Sequence, residues 1–329
     1  MKTLAVIGKV VEATPIEGAD FIHSLKVVCG KHGLWRGVSK KDIKVGDLVA
    51  VFFQDAVLPS DDPRFLFMAS RHFRVSMCRF KGAPSECLIM PNDSGVDEIG
   101  ADITEIYKVT KYEKQLPLGM GGDIIAPFPT DRCPVTDEVN FQQVPELVHK
   151  LAGNPFYISE KVDGTSCTAW VDDNGLHVCS RNYELAEFSK SNPEKTNIYW
   201  RMAREYSLDR LPKNIFLQFE IVGPGIQRNP MGLEHNEIRV FSGYDSVKRK
   251  YISVQNLICL CDLHKPTLPT VNIIVDFPLG LFRIPDVEGL QKLAEIKYKN
   301  GNWAEGIVIR GLECDWSFKV INLMYKDSR

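Results

Sequence analysis

The sequence predicts an α+β protein with two domains: a small amino-terminal β-barrel, followed by a larger domain of antiparallel sheets with a few helices. The chain has 329 residues, 44% of them apolar, and a chain of this length usually divides into two cores. The first third contains short alternating apolar segments separated by polar turns, which are typical of a barrel. The remainder mixes strand-like segments with two helical patterns, which favours antiparallel sheets covered by helices.

The amino-terminal domain is predicted to span residues 1–118. Its strand-like segments are LAVIGKVVEA, FIHSLKVVC, LWRGV, GDLVAVFFQ, FRVSMCRF and ECLIM, and polar connectors such as SKKDIKVGD supply the turns. Five or six short strands in this length favour a small closed barrel, and the OB-fold is the barrel of this kind that commonly binds nucleic acid. We therefore predict an OB-type β-barrel.

A stretch in which Pro and Gly crowd together, QLPLGMGGDIIAPFPTDRCP, predicts a hinge near residue 118 and a second domain over residues 119–329. Strands are predicted at YISEKV, TSCTAWV, LHVCSR, IFLQFEIV, IRVFSGYD, GIVIR and WSFKVI. Helices are predicted over residues 195–206 and after residue 286. Their inward-facing apolar positions are Ile198, Met202 and Tyr206 in the first helix, and Val287, Leu290, Leu293 and Ile296 in the second.

The composition gives expectations about the cellular compartment and the binding partners of the protein. No apolar run approaches the roughly 18 residues that a membrane span needs, and the amino terminus lacks a long apolar region with a cleavage site. The nine cysteines are scattered without a CxxC pair, which favours reduced thiols. We expect a soluble, cytoplasmic monomer with no membrane partner. The formal net charge of −2 gives no sign of a nucleic-acid partner, so any such surface must be local.

Residues 63–85 form a local basic segment without any Asp or Glu. Its cations and aromatic residues alternate, and they are Arg64, Arg71, Arg74, Arg79 and Lys81 with Phe65, Phe67, Phe73 and Phe80. Cations interleaved with aromatic rings suit phosphate contact and base stacking. The same pattern also suits strands with Phe on the inner face and Arg in solvent, and the sequence leaves both interpretations open.

A possible metal motif occurs at Cys259, Cys261 and His264. The surrounding stretch, YISVQNLICLCDLH, is interpreted as a strand with buried thiols, because apolar and polar residues alternate in it. No second pair of ligands lies nearby, as a structural zinc site would need. We therefore predict that these residues contribute to packing.

A lysine motif at the end of a short predicted strand is the most informative local pattern: Glu160-Lys161-Val162-Asp163-Gly164-Thr165. KxDG alone is weak, because average residue frequencies produce it in about one chain in ten of this length. Further motifs follow in a fixed order: Ser180-Arg181-Asn182, Phe219-Glu220-Ile221-Val222-Gly223, Phe241-Ser242-Gly243-Tyr244-Asp245, Glu305-Gly306-Ile307-Val308 and Ser317-Phe318-Lys319-Val320. With these motifs in this order, the sequence resembles the covalent nucleotidyltransferase superfamily of ATP-dependent DNA ligases, RNA ligases and mRNA capping guanylyltransferases.

Within that superfamily, the chain is most similar to nick-sealing RNA ligases that carry an OB domain before the transferase domain. The supporting features are the amino-terminal barrel, the Gly223-Pro224-Gly225-Ile226-Gln227 extension, and the short segment after Lys319, where other members place a carboxy-terminal OB domain. The resemblance implies an ATP-grasp-like nucleotidyltransferase domain. It also implies an RNA ligase that uses ATP to join 3′-hydroxyl and 5′-phosphate ends, at nicks in a duplex with an RNA 3′-OH strand.

The resemblance implies a role for each motif residue, with Lys161 as the nucleophile that forms a lysyl-AMP. The residues implied to bind the nucleotide are Glu160, Lys161, Arg181, Glu220, Tyr244, Glu305 and Lys319, with Tyr244 rather than Phe241 stacking on adenine. The residues implied to hold Mg²⁺ or Mn²⁺, directly or through water, are Asp163, Glu220 and Glu305. Carboxylates beside a polyphosphate require such hard cations, because the like charges otherwise repel. A neutral amine is also needed for attack on phosphorus, and the metal with Lys319 would supply the positive charge that favours it.

Two positions depart from the pattern of these enzymes. Ile321 stands where a second lysine is common, and Asn140 lies in a segment, 136–142, where related RNA ligases tend to have an arginine. Both changes remove a cation from the phosphate environment. The alternatives are a DNA ligase or guanylyltransferase of the same superfamily, or a non-catalytic nucleic-acid-binding protein. Taken singly, Tyr244 also suits a core aromatic, and Arg181 with Glu220 suits a cross-strand ion pair.

Overall fold

A computed structural model describes residues 3–112, 122–151, 153–190, 194, 196–277 and 287–325. The chain divides into two compact units. Unit 1 contains Met1–Lys114 and the short segment Phe141–Glu146, and unit 2 contains Gln115–Asn140 and Leu147–Arg329. The predicted boundary near residue 118 lies outside the described residues. None of the described helices has both the length and the apolar character to cross a membrane.

Unit 1 is built mainly from short strands. The strands are β1 (Ala5–Pro15), β2 (Ile22–Val28), β3 (Leu34–Lys40), β4 (Leu48–Phe52), β5 (Ala56–Val57), β6 (Cys78–Phe80), β7 (Ala83–Ser85), β8 (Leu88–Pro91) and β9 (Thr110–Lys111). Single-turn or longer 3-10 helices cover Gly30–His32, Pro63–Arg71 and Phe141–Gln143. Five strands form one antiparallel sheet in the order β3-β2-β1-β4-β8, which matches the strands predicted there except FRVSMCRF.

The long strand β1 holds this sheet together. Its first half pairs with β4 and its second half with β2, and a bulge lies between Val10 and Glu12. Because side chains alternate along a strand, Ala5 and Ile7 enter one apolar cluster while Val6 and Val10 enter another. The sheet is therefore buried on both faces, as expected for a sheet that curls into a barrel.

The segment 63–85 does not form the strands that the alternating Phe pattern suggested. Pro63–Arg71 is a 3-10 helix that begins with Asp62, whose side chain accepts a hydrogen bond from the Arg64 N–H, and only Cys78–Phe80 is a strand. Phe65 is fully buried whereas Phe67 is 59% exposed, so the aromatic residues do not share an inner face. The strand interpretation was wrong, because a cap followed by Pro starts a helix.

Unit 2 contains the remaining elements. Its strands are β10 (Ile124–Pro127), β11 (Phe156–Lys161), β12 (Thr165–Asp172), β13 (Gly175–Cys179), β14 (Tyr183–Leu185), β15 (Ile215–Val222), β16 (Glu237–Asp245), β17 (Lys250–Tyr251), β18 (Ile273–Phe277), β19 (Gly306–Gly311) and β20 (Ser317–Ile321). The α-helices are α1 (Pro145–His149), which begins in unit 1, α2 (Ile198–Glu205), α3 (Val254–Leu263) and α4 (Val287–Leu293), and a 3-10 helix covers Leu208–Arg210.

Two antiparallel sheets organise unit 2. One has seven strands in the order β10-β14-β13-β12-β15-β16-β17, and the other has four in the order β18-β11-β19-β20. The main core lies between the seven-stranded sheet and the helices α2 and α3, with Phe219, Met202 and Leu257 as members from each layer. The predicted antiparallel α+β architecture is confirmed.

Two predictions about helices need correction. The stretch with Cys259, Cys261 and His264, predicted as a strand, forms α3, because Ser253 caps it and Val254, Leu257 and Cys261 recur at helical spacing on its buried side. Cys261 is buried, Cys259 is exposed, and the His264 Nε2–H donates to the Tyr206 carbonyl at 2.8 Å.

The two predicted helices exist as α2 and α4. Asn197 caps α2 by accepting from the Trp200 N–H at 3.1 Å, so the helix begins three residues later than predicted. In α4, Leu290 is buried as expected, but Leu293 is 39% exposed and does not face inward. The α4 prediction therefore holds for the element and fails for this residue.

Candidate active site

Lys161 ends β11 and lies opposite Gly306 at the start of β19. Its Nζ donates to Glu305 Oε2 at 2.6 Å, and the side chain is only 20% exposed. Gly306 is required here, because its φ is +147° and a Cβ atom would lie 2.1 Å from the Val320 carbonyl oxygen. The close approach of β19 to β20 at this glycine sets the Glu305 carboxylate beside Lys161.

The pairing of β11, β19 and β20 aligns the motif residues in rows across one sheet face. Lys161, Gly306 and Ile321 form one row, and Ser159, Val308 and Lys319 form the next. Because residues two apart on a strand point the same way, Lys161 and Lys319 project from the same face. The half-buried side chain of Ile321 therefore lies in the row of Lys161, where the sequence pattern led us to expect a second lysine.

A buried ion pair occupies the next row. Arg310 on β19 donates to Glu138 at 2.5 Å, and the Ser317 hydroxyl donates to the other Glu138 oxygen at 2.5 Å. Burial lowers the pKa of Arg310, but attraction to Glu138 outweighs this and raises it. The guanidinium also lies 5.6 Å from the centre of the Phe241 ring. Sequence reasoning missed this pair, since the two residues are 172 positions apart and no motif joins them.

The segment that carries Glu138 runs beside β20. The Lys319 N–H donates to the Val139 carbonyl at 2.8 Å, and Asn140 forms an isolated parallel β-bridge with Lys319. Asn140 is a buried polar residue. The amide that replaces the expected arginine therefore lies next to the motif lysine Lys319.

Asp163 lies in the turn after β11 and is only 2% exposed. The Tyr325 hydroxyl donates to Asp163 Oδ2 at 2.5 Å, and the Asp163 N–H donates to the Tyr298 hydroxyl oxygen at 3.3 Å. The next residue must be small, because a Cβ atom on Gly164 would lie 2.6 Å from the Ile221 carbonyl oxygen. The KxDG turn is thus pressed against β15 and enclosed by two phenols.

The acids predicted to bind metal do not assemble into one direct site. Among the residues that the structure describes, no group of three His, Cys, Asp or Glu side chains is arranged to hold a metal ion. Asp163 and Glu305 influence the same two tyrosines. Burial is the main cause of the raised pKa values of Tyr298 and Tyr325, and the negative charges of Asp163 and Glu305 raise them further. Metal contact by all three acids stays a prediction.

Glu220 and Arg181 lie on the seven-stranded sheet and in the turn after β13. Glu220 pairs with Ser166 across β12 and β15 and is half-buried. Arg181 Nη2 lies 3.1 Å from Asp137 Oδ1, in the segment that also carries Glu138. Arg181, from the motif Ser180-Arg181-Asn182, is therefore ion-paired with the chain segment beside Lys319.

Glu160 is on the opposite face of β11 from Lys161. Its N–H donates to the Asn272 carbonyl at 2.9 Å. Burial raises the pKa of its carboxyl, against the lowering effect of Arg239.

The two aromatic candidates of β16 lie in different places. Tyr244 is 8% exposed and belongs to an apolar cluster with Trp170 and Phe216. Phe216 is the cross-strand partner of Tyr244 on β15. It is four residues from the motif residue Glu220, which corresponds to about 13 Å along an extended strand. Phe241 is the additional residue of a β-bulge, and it packs against the apolar cluster that contains Val162, the neighbour of Lys161. The structure therefore brings Phe241, and not Tyr244, to the lysine motif.

Comparison with protein families gave two matches. The model of the RNA ligase family matches residues 154–321, which is 168 of 329 residues and includes every residue predicted to bind nucleotide or metal. A model of an OB-fold domain matches residues 4–92. A search of curated proteins returned no match.

Solved structures of Naegleria gruberi RNA ligase are similar over almost the whole chain. An alanine mutant with ATP and Mn has 28% identity and a TM-score of 0.79, covering 97% of this chain and 96% of that chain. The ligase with PPi has 28% identity and a TM-score of 0.81, covering 98% and 97%. A further alanine mutant, with AMP and Mn, has 29% identity and a TM-score of 0.81, covering 99% and 100%.

Proposed function

The chain belongs to the RNA ligase family, and from this premise we propose that it seals nicks in duplexes with an RNA 3′-hydroxyl strand. It uses ATP with Mg²⁺ or Mn²⁺ and forms a covalent lysyl-AMP on Lys161. One observation carries this proposal: Lys161 contacts Glu305 and shares a sheet face with Lys319. An amine nucleophile and a cation suited to phosphate therefore project into the same space. The Naegleria gruberi structures with ATP and Mn support the choice of nucleotide and metal.

In the first step, the neutral Lys161 amine attacks the α-phosphorus of ATP. The P–N bond forms as the amine loses a proton to solvent, the bond from the α-phosphorus to the bridging oxygen breaks, and pyrophosphate leaves. The Lys161 Nζ donates to Glu305 Oε2 at 2.6 Å, so this contact must be broken before the amine can attack. Lys319 stabilises the charge that develops on the transferring phosphate, which is the main contribution expected for phosphoryl-type transfer.

The residues present suit a hard divalent cation. Asp163 and Glu305 supply carboxylate oxygens, which Mg²⁺ and Mn²⁺ prefer, and they would hold the ion through its water ligands. When bound, such an ion neutralises phosphate charge and favours the neutral amine. Glu220 is half-buried on the facing sheet and contacts the nucleotide ribose or a water of the ion.

Two further steps complete the reaction. A 5′-phosphate oxygen attacks the phosphorus of lysyl-AMP, so that the P–N bond breaks and Lys161 takes up a proton. The 3′-hydroxyl oxygen then attacks the 5′-phosphorus, its proton leaves, and AMP departs. Arg181 contacts the phosphate or ribose during these transfers.

Phe241 is the aromatic residue that we assign to the adenine ring, in place of Tyr244. It packs against the apolar cluster that contains Val162, whereas Tyr244 lies in a cluster with Trp170 and Phe216. Glu160 contributes through its backbone, because its side chain lies on the other face of β11 from Lys161.

The OB-type unit binds the nucleic acid. Within the segment 63–85, Arg64 and Arg74 are paired with Asp62 and Asp55, but Arg71 is exposed and lies against the Phe80 ring. An exposed cation beside an aromatic ring suits a phosphate and its base.

The test is incubation of the protein and its Lys161→Ala variant with α-labelled ATP and Mg²⁺ or Mn²⁺, followed by denaturing electrophoresis. We expect a labelled band in the parent and none in the variant. Labelled GTP separates a guanylyltransferase, which would accept it, from a ligase. No band in the parent, with active controls, would contradict the lysyl-AMP.

Substrate choice is tested with nicked duplexes that differ only in the sugar of the strand ending in the 3′-hydroxyl. We expect sealing when that strand ends in RNA and weak sealing when it is DNA. Equal rates on both duplexes would contradict the RNA 3′-hydroxyl preference while leaving the ligase activity in place.

A further inference from the structure

The last described turn of the chain, Asn322–Tyr325, returns to the catalytic motif. Asn322 is fully buried, and its side-chain amide donates to the Ala304 carbonyl at 2.9 Å. Its N–H donates to the Glu305 carbonyl at 3.0 Å, and its side-chain oxygen accepts from the Met324 N–H at 2.8 Å. One asparagine thus fixes the turn to the backbone of the residue that contacts Lys161.

The turn delivers Tyr325 to Asp163. The ring of Tyr325 is buried, and its hydroxyl donates to Asp163 Oδ2 at 2.5 Å, a short bond typical of a hydroxyl donating to a carboxylate. Tyr298, also buried, accepts the Asp163 N–H at 3.3 Å. One phenol therefore holds the carboxylate, and the other holds the backbone of the same residue.

We propose that Tyr325 is a positioning residue that orients the Asp163 carboxylate for lysine adenylylation, and that Tyr298 fixes the turn carrying it. This inference rests on the proposed function. A carboxylate on a short side chain has two free dihedral angles, and a donor fixed by a buried ring restricts both. The carboxy-terminal turn is therefore part of the adenylation site, although no sequence motif includes it.

The contact serves more than packing. The ring of Tyr325 would fill the same space without its hydroxyl, so packing alone does not require a bond to Asp163. Both phenols also lie near Glu305, the partner of Lys161, and the charges of Asp163 and Glu305 act on both. The Tyr325 hydroxyl is thus bonded to one of the two carboxylates that we assign to the metal.

The experiment compares Tyr325→Phe with Tyr157→Phe. Tyr157 is a matched control: it is a buried tyrosine of the same unit, and its hydroxyl lies 3.7 Å from Cys314 Sγ and interacts with Arg310, whereas that of Tyr325 donates to a carboxylate. We expect Tyr325→Phe to slow lysyl-AMP formation by about tenfold and to raise the Mn²⁺ concentration for half-maximal rate. Tyr157→Phe leaves both unchanged, and thermal melting confirms that each variant folds.

A second readout does not depend on catalysis. In a Lys161→Ala background, ATP affinity is measured with and without Mn²⁺ for Tyr325→Phe, Asp163→Asn and the double variant. We expect Tyr325→Phe to reduce the gain in affinity from Mn²⁺ and to add nothing once Asp163 is replaced, because Tyr325 acts through Asp163. Tyr298→Phe is expected to give a smaller loss of the same kind.

Additive effects of the two substitutions, or a Tyr325→Phe variant that matches Tyr157→Phe in every measurement, would overturn the inference. These outcomes are separate from failure of the proposed function. A parent protein that forms no lysyl-AMP contradicts the proposed function, whereas the affinity cycle still decides whether Tyr325 acts through Asp163.

Discussion

Ile321 is the residue at which this chain departs most clearly from the two-lysine pattern, and it lies across Gly306 from Lys161. A cation at this position would favour the neutral form of the Lys161 amine and would attract phosphate. We expect Ile321→Lys to accelerate lysyl-AMP formation by about fivefold, since a partly exposed charge contributes roughly 1 kcal/mol. Single-turnover labelling with ATP measures the rate.

Ile321→Met is the control for that substitution, because it keeps a similar volume and adds no charge. It is expected to retain the parent rate. Equal rates for Ile321→Lys and Ile321→Met would show that a cation in this row has no effect on adenylylation.

Some site residues could be predicted from the sequence and others could not. Lys161 and Glu305 belong to local motifs, and the sequence predicted the motifs without their contact. Glu138 and Arg310, or Asp163 and Tyr325, are separated by more than 160 residues and meet only through the folded sheet. The sequence also did not show the β-bulge at Phe241, on which our assignment of Phe241 rather than Tyr244 to the adenine ring rests.

At the scale of elements, the Glu138–Arg310 pair joins β19 to the segment beside β20. Arg310 is buried, so loss of its partner's charge leaves a cation without compensation. We expect Glu138→Gln to reduce the free energy of unfolding by about 3–5 kcal/mol, the usual effect of breaking a buried pair. Urea denaturation measures this change.

Glu187 provides the comparison, because it pairs with Arg204 at 2.7 Å on the surface of unit 2. Glu187→Gln is expected to cost less than about 1 kcal/mol, as exposed pairs contribute little. Similar losses for the two variants would contradict the structural role assigned to Glu138.

The elements that the sequence predicted well include the short, largely apolar strands of unit 2. The segments YISEKV, TSCTAWV and IFLQFEIV correspond to β11, β12 and β15, which carry or flank the lysine motif. Alternation was misleading in Val254–Leu263, where a Ser253 cap and buried positions three and seven residues apart make a helix. Pro63–Arg71 was missed because a 3-10 helix has no apolar period that separates it from an aromatic-rich strand.

At the scale of the whole molecule, RNA binding by unit 1 should be separable from adenylylation in unit 2. We expect Arg71→Glu to slow the sealing of a nicked duplex, because a phosphate contact is lost. For the same reason the rate of sealing should depend less on salt concentration. Lysyl-AMP formation should stay at the parent rate. Sealing assays at several salt concentrations, beside labelling with ATP, measure the two effects.

Lys44→Glu carries the same charge change on an exposed turn of unit 1 and serves as the control. A larger loss of sealing for Arg71→Glu than for Lys44→Glu supports a defined contact. Equal losses would indicate that only the net charge of unit 1 matters, and the assignment to Arg71 would then be wrong.

The segment Phe141–Glu146 determines how the chain would respond to deletion and to proteolysis. Gly33 accommodates it, since any side chain there would collide with the Gln142 carbonyl oxygen, and the Gln142 side chain donates to the Leu34 carbonyl at 2.8 Å. The polypeptide therefore passes between the units three times. Two domains joined end to end would need only one such passage. Deletion of residues 1–118 would leave Phe141–Glu146 without the rest of unit 1. A single proteolytic cut would not release unit 1 intact, because its two parts are separated along the chain.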